Sequence, residues 1–216
     1  MNFGIKIAGI GGQGVQLAGK LLAEAAFKQG LQVSMGVNYE PATSGGLTVA
    51  DVTLAPHGTE IDYPFIEMPN ILICLAQRGW DEFKHQVTSM CVVIADRDNV
   101  PDFEGPAVEQ AHLAFHLPFS AKARELGSEK VTNVLVIGFL AEMLDIKRHF
   151  VPQMLKELNP EDAHEYDLLE VSPRNFEASL IKASPERFKE MNLAAFEVGF
   201  QLSLDTEYSK EKIIQA

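Results

Sequence analysis

Three glycines near the amino terminus have the spacing of a turn that binds phosphate groups. Gly9, Gly11 and Gly14 match G-x-G-x-x-G between an apolar stretch and a helical one. Glycine allows a tight turn and close approach of a ligand to the backbone, and the amino terminus of the following helix attracts phosphate or carboxylate. A dinucleotide site also needs an acid for the ribose about 20 residues later. The next apolar stretch ends at Met35 and Gly36 without one, so a turn that only packs its helix on a sheet is an open alternative.

The other polar candidates do not complete a catalytic apparatus. His112 and His116 are four residues apart, but no third ligand or carboxylate accompanies them, so they are interpreted as ordinary histidines. Asp96–Asp98 follow an apolar stretch at the end where open α/β sheets bind ligands, yet turn and helix-cap duty is the preferred interpretation, and the same caution applies to Arg78. No nucleophile elbow, P-loop lysine or cysteine–histidine pair is present. The sequence therefore predicts no catalytic residue and no metal ligand.

Composition excludes several classes of protein. The 216 residues carry 18 Lys and Arg against 30 Asp and Glu, a net charge of −12, which argues against nucleic acid as a partner. The two cysteines, Cys74 and Cys91, are too few for a disulfide framework, a zinc site or an iron–sulfur cluster. The start resembles no signal peptide, and the most apolar stretch is too short to span a membrane. We expect a cytoplasmic protein without membrane contact.

The elements that must hold the glycine turn alternate between strands and helices. A strand through Ile5–Ile10 precedes the turn, and a helix over Val15–Lys28, with Gly30 as its stop, follows it. Further strands are predicted at 31–35, 47–54, 71–75, 91–95 and 112–117, and further helices at 80–89, 118–126 and 132–145. The apolar runs 71–75 and 91–95 are typical of central parallel strands covered on both faces. Without repeats or a clear linker, residues 1–216 are predicted to form a single α/β domain.

The predicted helix at about 184–204 carries two apolar stripes. Ser184 and Pro185 are a start signal, and the stripes lie on roughly opposite sides. The first comprises Phe188, Met191, Ala195, Val198 and Leu202, and the second Leu193, Phe196, Phe200 and Leu204. A surface helix needs one stripe only. The second stripe is buried either within its own domain or against a partner subunit.

Three segments in the same order resemble the gamma subunit of the 2-oxoacid:ferredoxin oxidoreductases, the pyruvate, 2-oxoglutarate and ketoisovalerate type. The first is the glycine turn with its helix, residues 9–15 (GIGGQGV) and 18–26 (AGKLLAEAA). The second is 39–46 (YEPATSGG) with Val49 and Val52. The third combines 132–134 (TNV), Gly138 and 192–200 (NLAAFEVGF). The similarity covers about residues 3 to 202.

The resemblance implies a Rossmann-like three-layer subunit with a mostly parallel central sheet, assembled with alpha and beta subunits and sometimes with a ferredoxin-like delta subunit. It implies oxidative decarboxylation of a 2-oxoacid with coenzyme A to acyl-CoA and CO2, with electrons passing to ferredoxin. Thiamine diphosphate, Mg²⁺ and iron–sulfur clusters are expected on the partner subunits. The chain alone is expected to be inactive.

The resemblance also suggests where this chain contacts coenzyme A. Its matching loops supply the candidate cofactor-binding residues, which are Gly11, Gly12, Gln13, Gly14, Gly45 and Gly46. Many family members have Arg before the paired glycines, whereas this chain has Ser44, so any contact of that Arg is absent or supplied elsewhere. The residues do not decide which 2-oxoacid is used.

An alternative of a different class stays open at this point. The glycine turn is also consistent with a nucleotide-binding oxidoreductase or regulatory module, using NAD or FAD, that acts by itself. A purely structural subunit without ligand contact is a third interpretation.

Overall fold

The computed structural model describes residues 2–40, 45–145 and 169–206. Its strands form a six-stranded sheet in the order β2-β3-β1-β4-β5-β6. They are β1 (Phe3–Ile10), β2 (Gln32–Tyr39), β3 (Leu47–Ala55), β4 (Ile71–Cys74), β5 (Val92–Asp96) and β6 (Leu113–Leu117). The pairs β1–β4, β4–β5 and β5–β6 are parallel, whereas β3 is antiparallel to both β1 and β2. All strands except β3 therefore run in one direction.

Helices cover both faces of this sheet. They are α1 (Val15–Gln29), α2 (Gln77–Phe83), α3 (Pro106–Gln110), α4 (Phe119–Glu125), α5 (Thr132–Met143), α6 (Pro173–Ala183) and α7 (Lys189–Leu204). One face, which carries Ile5, Val52 and Ile94, packs in one cluster with α1, α4, α5, α6 and α7. The other face packs Leu72 and Val93 against α2 and α3. The predicted three-layer α/β fold with a mostly parallel sheet is confirmed.

The predicted β-α-β unit of β1, α1 and β2 contains an intervening strand. Strands β1 and β2 run in the same direction and are joined by α1, but β3 lies between them in the sheet. Pairing of β1 with β3 runs without interruption from Phe3↔Leu54 to Ile10↔Leu47, so β3 has no bulge there. In the sequence, the apolar positions of this strand change parity near Val49 and Ala50, which predicts either a bulge or burial on both faces. The structure shows burial on both faces, since eight of the nine residues of β3 are buried.

One helix departs from its predicted bounds, and another was not predicted. The helix expected over 80–89 begins earlier, at Gln77, and ends at Phe83, followed by a 3₁₀ turn at Lys84–Gln86. Helix α6 was not predicted, because its polar residues obscure a narrow buried stripe of Phe176, Ser179 and Leu180. Pro173 at its first turn is the start signal that could have identified it.

A charged pair is buried in the sheet itself. Lys6 on β1 and Asp51 on β3 are direct cross-strand partners, with Nζ and Oδ1 2.7 Å apart and both side chains about 95% buried, at 5% and 4% exposed. The Lys6 ammonium also lies 4.7 Å from the centroid of the Phe83 ring. Burial raises the pKa of Asp51, and the hydrogen bond and charge of Lys6 oppose that rise. Each of the two buried charges is therefore stabilised by the other.

Helix α5 carries apolar residues on all of its sides because protein surrounds it. Every one of its 12 residues is buried. Phe139 packs edge-on against Phe115 of β6 on one side, with ring centroids 5.7 Å apart, and α7 crosses its other side. Within the residues described, no helix has the length and apolarity needed to cross a membrane.

Two glycines let α5 and α7 approach at backbone distance. A Cβ built on Gly138 would lie 2.1 Å from the carbonyl oxygen of Phe196, and one on Gly199 would lie 1.8 Å from that of Leu135. Real Cβ atoms do not come so close to another heavy atom. These positions therefore require glycine for packing.

The contact with α5 also decides how α7 is buried. Its deeply buried stripe combines one residue of each predicted stripe, Ala195 and Phe196, with Gly199 and Ser203, which belong to neither. Partly buried members of both predicted stripes flank it, while Phe188 and Leu204 are about 40% exposed, at 42% and 41%. The helix begins at Lys189 after a 3₁₀ turn, and the Ser184 hydroxyl accepts a hydrogen bond from Asn192 instead of capping it.

Candidate functional site

The glycine turn lies at the carboxyl end of β1 and leads directly into α1. Gly12 (φ +97°) and Gly14 (φ +72°) have the left-handed backbone that favours glycine. Gly11 and Gly12 are exposed, and among the described residues no atom lies within 4 Å of where a Cβ on Gly12 would be. The turn therefore presents bare backbone to solvent.

Gln13 fastens this turn to the sheet. Its side-chain carbonyl accepts the Ile10 N–H at 2.8 Å, and its Nε2 donates to the Leu75 carbonyl at 2.7 Å. These two bonds connect the end of β1, the turn and the residue after β4. The side chain of Gln13 thus holds the shape of the turn from within.

Asn133 supports the turn from the opposite side. Its buried side-chain amide donates from Nδ2 to the Gly14 carbonyl at 3.2 Å. A Cβ on Gly14 would lie 2.3 Å from that nitrogen, so both the backbone angle and the space exclude a side chain at Gly14. Asn133 was not among the predicted site residues, because nothing local connects it with a residue 119 positions earlier.

The first turn of α1 offers backbone N–H groups to an anion. The first N–H groups of any helix lack intrahelical acceptors, and Gly14, the N-cap residue, has no side chain to satisfy them. The helix dipole adds a positive partial charge at the same place. An exposed glycine turn in front of such a helix end suits a phosphate or carboxylate.

The second glycine loop touches the first. Gly11 donates its N–H to the Gly46 carbonyl at 3.0 Å, so the residues before β3 lie beside the turn after β1. Gly45 is exposed and Gly46 is buried. The structure thus brings Gly11, Gly12, Gln13, Gly14, Gly45 and Gly46 together near the carboxyl end of β1. Ser44 lies outside the described residues.

A guanidinium borders the two loops. Arg78, on the first turn of α2, places Nη1 3.4 Å from the Gly45 carbonyl and Nη2 2.5 Å from Oε2 of Glu40. The two side chains are about half exposed, 52% and 50%, and an ion pair of this kind contributes about 0–1 kcal/mol. The sequence did not indicate this contact, because the charge of Arg78 does not show which residues more than 30 positions away it meets in the fold.

The structure corrects the statement that no acid follows the second strand. Strand β2 runs to Tyr39, beyond its predicted end at 35, and Glu40 follows it directly. In dinucleotide folds the strand that carries the acid adjoins the first strand. Here β3 lies between them, and Glu40 pairs with Arg78. The geometry therefore gives no support to ribose recognition by this acid.

The remaining polar candidates have structural partners. The Asp96 carboxylate accepts the Ser120 N–H at 3.0 Å in the first turn of α4, so its interpretation as a helix cap is confirmed. His116 is half-buried, hydrogen-bonds the Val100 carbonyl at 2.9 Å and packs on Phe103. Burial lowers the pKa of His116.

The thiols are not poised for chemistry. Both cysteines are free and buried, and burial raises the pKa of Cys91 to about 12 and that of Cys74 still further. Among the described residues no group of three His, Cys, Asp or Glu side chains is placed to hold a metal ion.

A separate pocket lies at the opposite end of the central strands, near their amino termini. Its volume is about 340 Å³, and it adjoins Gly4 near the start of β1 and Asn70 just before β4. Its wall includes the exposed side chains of Tyr63, Phe65 and Met68. Because the glycine turn is at the carboxyl end of β1, this pocket is not part of the candidate site.

Comparisons with known proteins agree on one family. The profile of the pyruvate ferredoxin/flavodoxin oxidoreductase family matches residues 4–202. The 2-oxoglutarate synthase subunit KorC of Methanothermobacter thermautotrophicus is 30% identical over 205 residues, which cover 93% of this chain and 95% of that protein.

Two solved structures share the fold. A keto/oxoacid ferredoxin oxidoreductase gamma subunit from Geobacter sulfurreducens superposes with a TM-score of 0.67 at 23% identity, covering 94% of this chain and 99% of the other. The 2-oxoglutarate:ferredoxin oxidoreductase from Magnetococcus marinus, solved with 2-oxoglutarate, coenzyme A and succinyl-CoA bound, gives 0.73 at 20% identity. The match covers 96% of this chain but 32% of that one, so there the fold is one part of a longer polypeptide.

Proposed function

Because this chain belongs to the pyruvate ferredoxin/flavodoxin oxidoreductase family and is the gamma subunit of a 2-oxoacid:ferredoxin oxidoreductase, we propose that its two glycine loops contact coenzyme A in the assembled enzyme. The observation that carries the proposal is the exposed backbone at Gly11 and Gly12 in front of the uncapped helix α1. Coenzyme A brings phosphate groups, the chemistry that such a helix end binds.

In this proposal five of the six predicted residues, all except Gly45, have a stated part. The N–H groups of the turn and of the first residues of α1 bind a phosphate, and the absence of side chains at Gly11 and Gly12 lets it approach the backbone. Gly14, Gln13 and Gly46 keep the turn in shape through the bonds to Asn133, Leu75 and Gly11. The chain binds and orients the ligand and supplies no group to the reacting atoms.

The complex is proposed to convert a 2-oxoacid and coenzyme A to acyl-CoA and CO2 and to pass two electrons to ferredoxin, in the cytoplasm. Thiamine diphosphate with Mg²⁺ supplies the decarboxylation chemistry, and iron–sulfur clusters carry the electrons. The two cysteines of this chain are fewer than the four thiolates that bind an iron–sulfur cluster. We therefore assign these groups to alpha and beta subunits and to a ferredoxin-like delta subunit where one is present, and we expect this chain alone to be inactive.

The exposed apolar residues at the two ends of α7 are our proposed contact with a partner subunit. The inner stripe of the helix packs on α5, whereas Leu204 at its carboxyl end is 41% exposed and Phe188, in the 3₁₀ turn before its first residue, is 42% exposed. Burial of these two side chains in an interface would remove their apolar surface from water.

The test is Gly12→Ala in the reconstituted complex, with Gly127→Ala as a matched control. Both positions are exposed, have open space for a Cβ and have nearly the same angle, φ +97° and +98°. The two variants therefore carry a similar conformational penalty, about 1–2 kcal/mol, and differ in location only.

We expect Gly12→Ala to raise KM for coenzyme A about tenfold or more, and Gly127→Ala to leave it unchanged. A tenfold change corresponds to about 1.4 kcal/mol, less than one charge-assisted hydrogen bond to the phosphate contributes. Equal KM values for the two variants would show that the glycine turn does not bind coenzyme A.

A further inference from the structure

Arg78 completes the group of residues around the glycine loops. Its guanidinium contacts the Gly45 carbonyl at 3.4 Å, and the next carbonyl, that of Gly46, binds Gly11 in the turn. The cation, the second loop and the exposed turn are thus one continuous set of contacts. The fold does not require this cation, since Arg78 is half exposed and its carbonyl contact is long.

The partner of Arg78 can be exchanged. The pair with Glu40 is open to water, and Glu40 Oε2 also receives the Leu47 N–H at 3.4 Å, so Glu40 keeps a donor when Arg78 turns away. A guanidinium has five N–H donors in a planar arrangement that matches the two oxygens of a carboxylate or phosphate. On a chain with a net charge of −12, a local cation also reduces the repulsion that an anion meets.

We propose that Arg78 is a specificity-determining residue of this site and that Glu40 is its internal competitor. The guanidinium exchanges the Glu40 carboxylate for an oxyanion of the ligand, which is either a phosphate of coenzyme A or the second carboxylate of a dicarboxylic 2-oxoacid. Glu40 then sets the affinity by occupying Arg78 when the ligand is absent. The inference rests on the proposed function, since it places the ligand at the glycine loops.

The experiment measures equilibrium binding by calorimetry in the reconstituted complex. Coenzyme A and 2-oxoglutarate are titrated separately into the wild type and into Arg78→Gln, Glu40→Gln and Arg124→Gln. The last is the matched control, because Arg124 is as exposed as Arg78, at 50% against 52%, and likewise pairs with acidic side chains, those of Asp98 and Glu129. It reports the effect of removing one positive charge elsewhere on the chain.

We expect opposite effects from the two partners of the pair. Arg78→Gln should weaken binding of one ligand about tenfold relative to Arg124→Gln, and Glu40→Gln should tighten binding of the same ligand about two- to fivefold. The ligand that responds identifies the oxyanion. A pair that only stabilises the loop would weaken binding in both variants.

Two results overturn the inference. In the first, Arg78→Gln binds coenzyme A and 2-oxoglutarate as tightly as Arg124→Gln does. In the second, Arg78→Gln and Glu40→Gln both weaken binding of the same ligand. If Gly12→Ala still weakens coenzyme A binding in either case, the proposed function stands and only the role of Arg78 fails. If Gly12→Ala has no effect while Arg78 and Glu40 give opposite shifts for 2-oxoglutarate, the coenzyme A assignment fails and the role of Arg78 stands.

Discussion

Replacement of Gly199 by Ala tests the helix crossing at the centre of the packing. The added Cβ would lie 1.8 Å from the Leu135 carbonyl oxygen and 2.7 Å from its carbon. An ordinary carbon–oxygen contact is about 3.3–3.6 Å, so α7 and α5 must separate by about 1.5 Å. Because the obstructing atoms are helix backbone, no rotamer change relieves the contact.

The size of the effect follows from two opposing contributions. Overpacking costs about 1–3 kcal/mol, and a rigid backbone obstacle places this case near the upper value. Alanine in a helix interior gains about 1 kcal/mol over glycine. We therefore expect a net loss of about 2 kcal/mol, which for a chain of this size lowers Tm by roughly 4–8 °C.

Thermal unfolding of the purified full chain, followed by circular dichroism, measures this loss. Gln201→Ala, on the exposed side of the same helix, is the control and should change Tm little. Gly138→Ala should resemble Gly199→Ala, and the double variant should lose less than the sum, because one separation of the helices relieves both contacts. An unchanged Tm in Gly199→Ala, or full additivity in the double variant, would refute the crossing.

Two further predictions concern buried ionisable groups. Lys6→Met should destabilise the chain by about 3–5 kcal/mol in urea titrations at neutral pH, since it leaves the Asp51 carboxylate buried without its cation, and Lys6→Met combined with Asp51→Leu should recover most of that loss. His116→Gln should remove part of the loss of stability on acidification: burial lowers the pKa of His116 in the folded chain, so below the ordinary value of 6.5 the unfolded chain binds the extra proton and is favoured. Equal stability losses between pH 7.5 and pH 5.5 in His116→Gln and wild type would contradict this.

Local patterns were sufficient for much of the fold. The continuous apolar runs 71–75 and 91–95 correctly indicated central parallel strands, and the glycine turn between an apolar strand and a periodic helix indicated the start of the site. Such patterns are reliable because burial acts on each element through its own periodicity. Helix α6 shows the limit, since only Phe176, Ser179 and Leu180 of its 11 residues are buried.

The candidate site was identified partly from the sequence and partly from the tertiary structure. The glycines were identified from their spacing, and their resemblance to one family grouped the two loops before any contact was known. Their mutual position depends on the hydrogen bond from Gly11 to Gly46, and the shape of the turn depends on Gln13 and Asn133. Gln13 was expected among the ligand contacts, whereas its amide bonds show a part in holding the turn.

By itself the sequence determined the class of fold, the family and the glycine loops, because those depend on local spacing and on residue types that backbone geometry demands. Only the tertiary structure decided that β3 lies between β1 and β2, that Gly138 and Gly199 join α5 to α7, and that Arg78 and Glu40 border the loops. These features depend on strand register and on contacts between residues distant along the chain. No local periodicity encodes which of many compatible partners a strand, a helix face or a charge will meet.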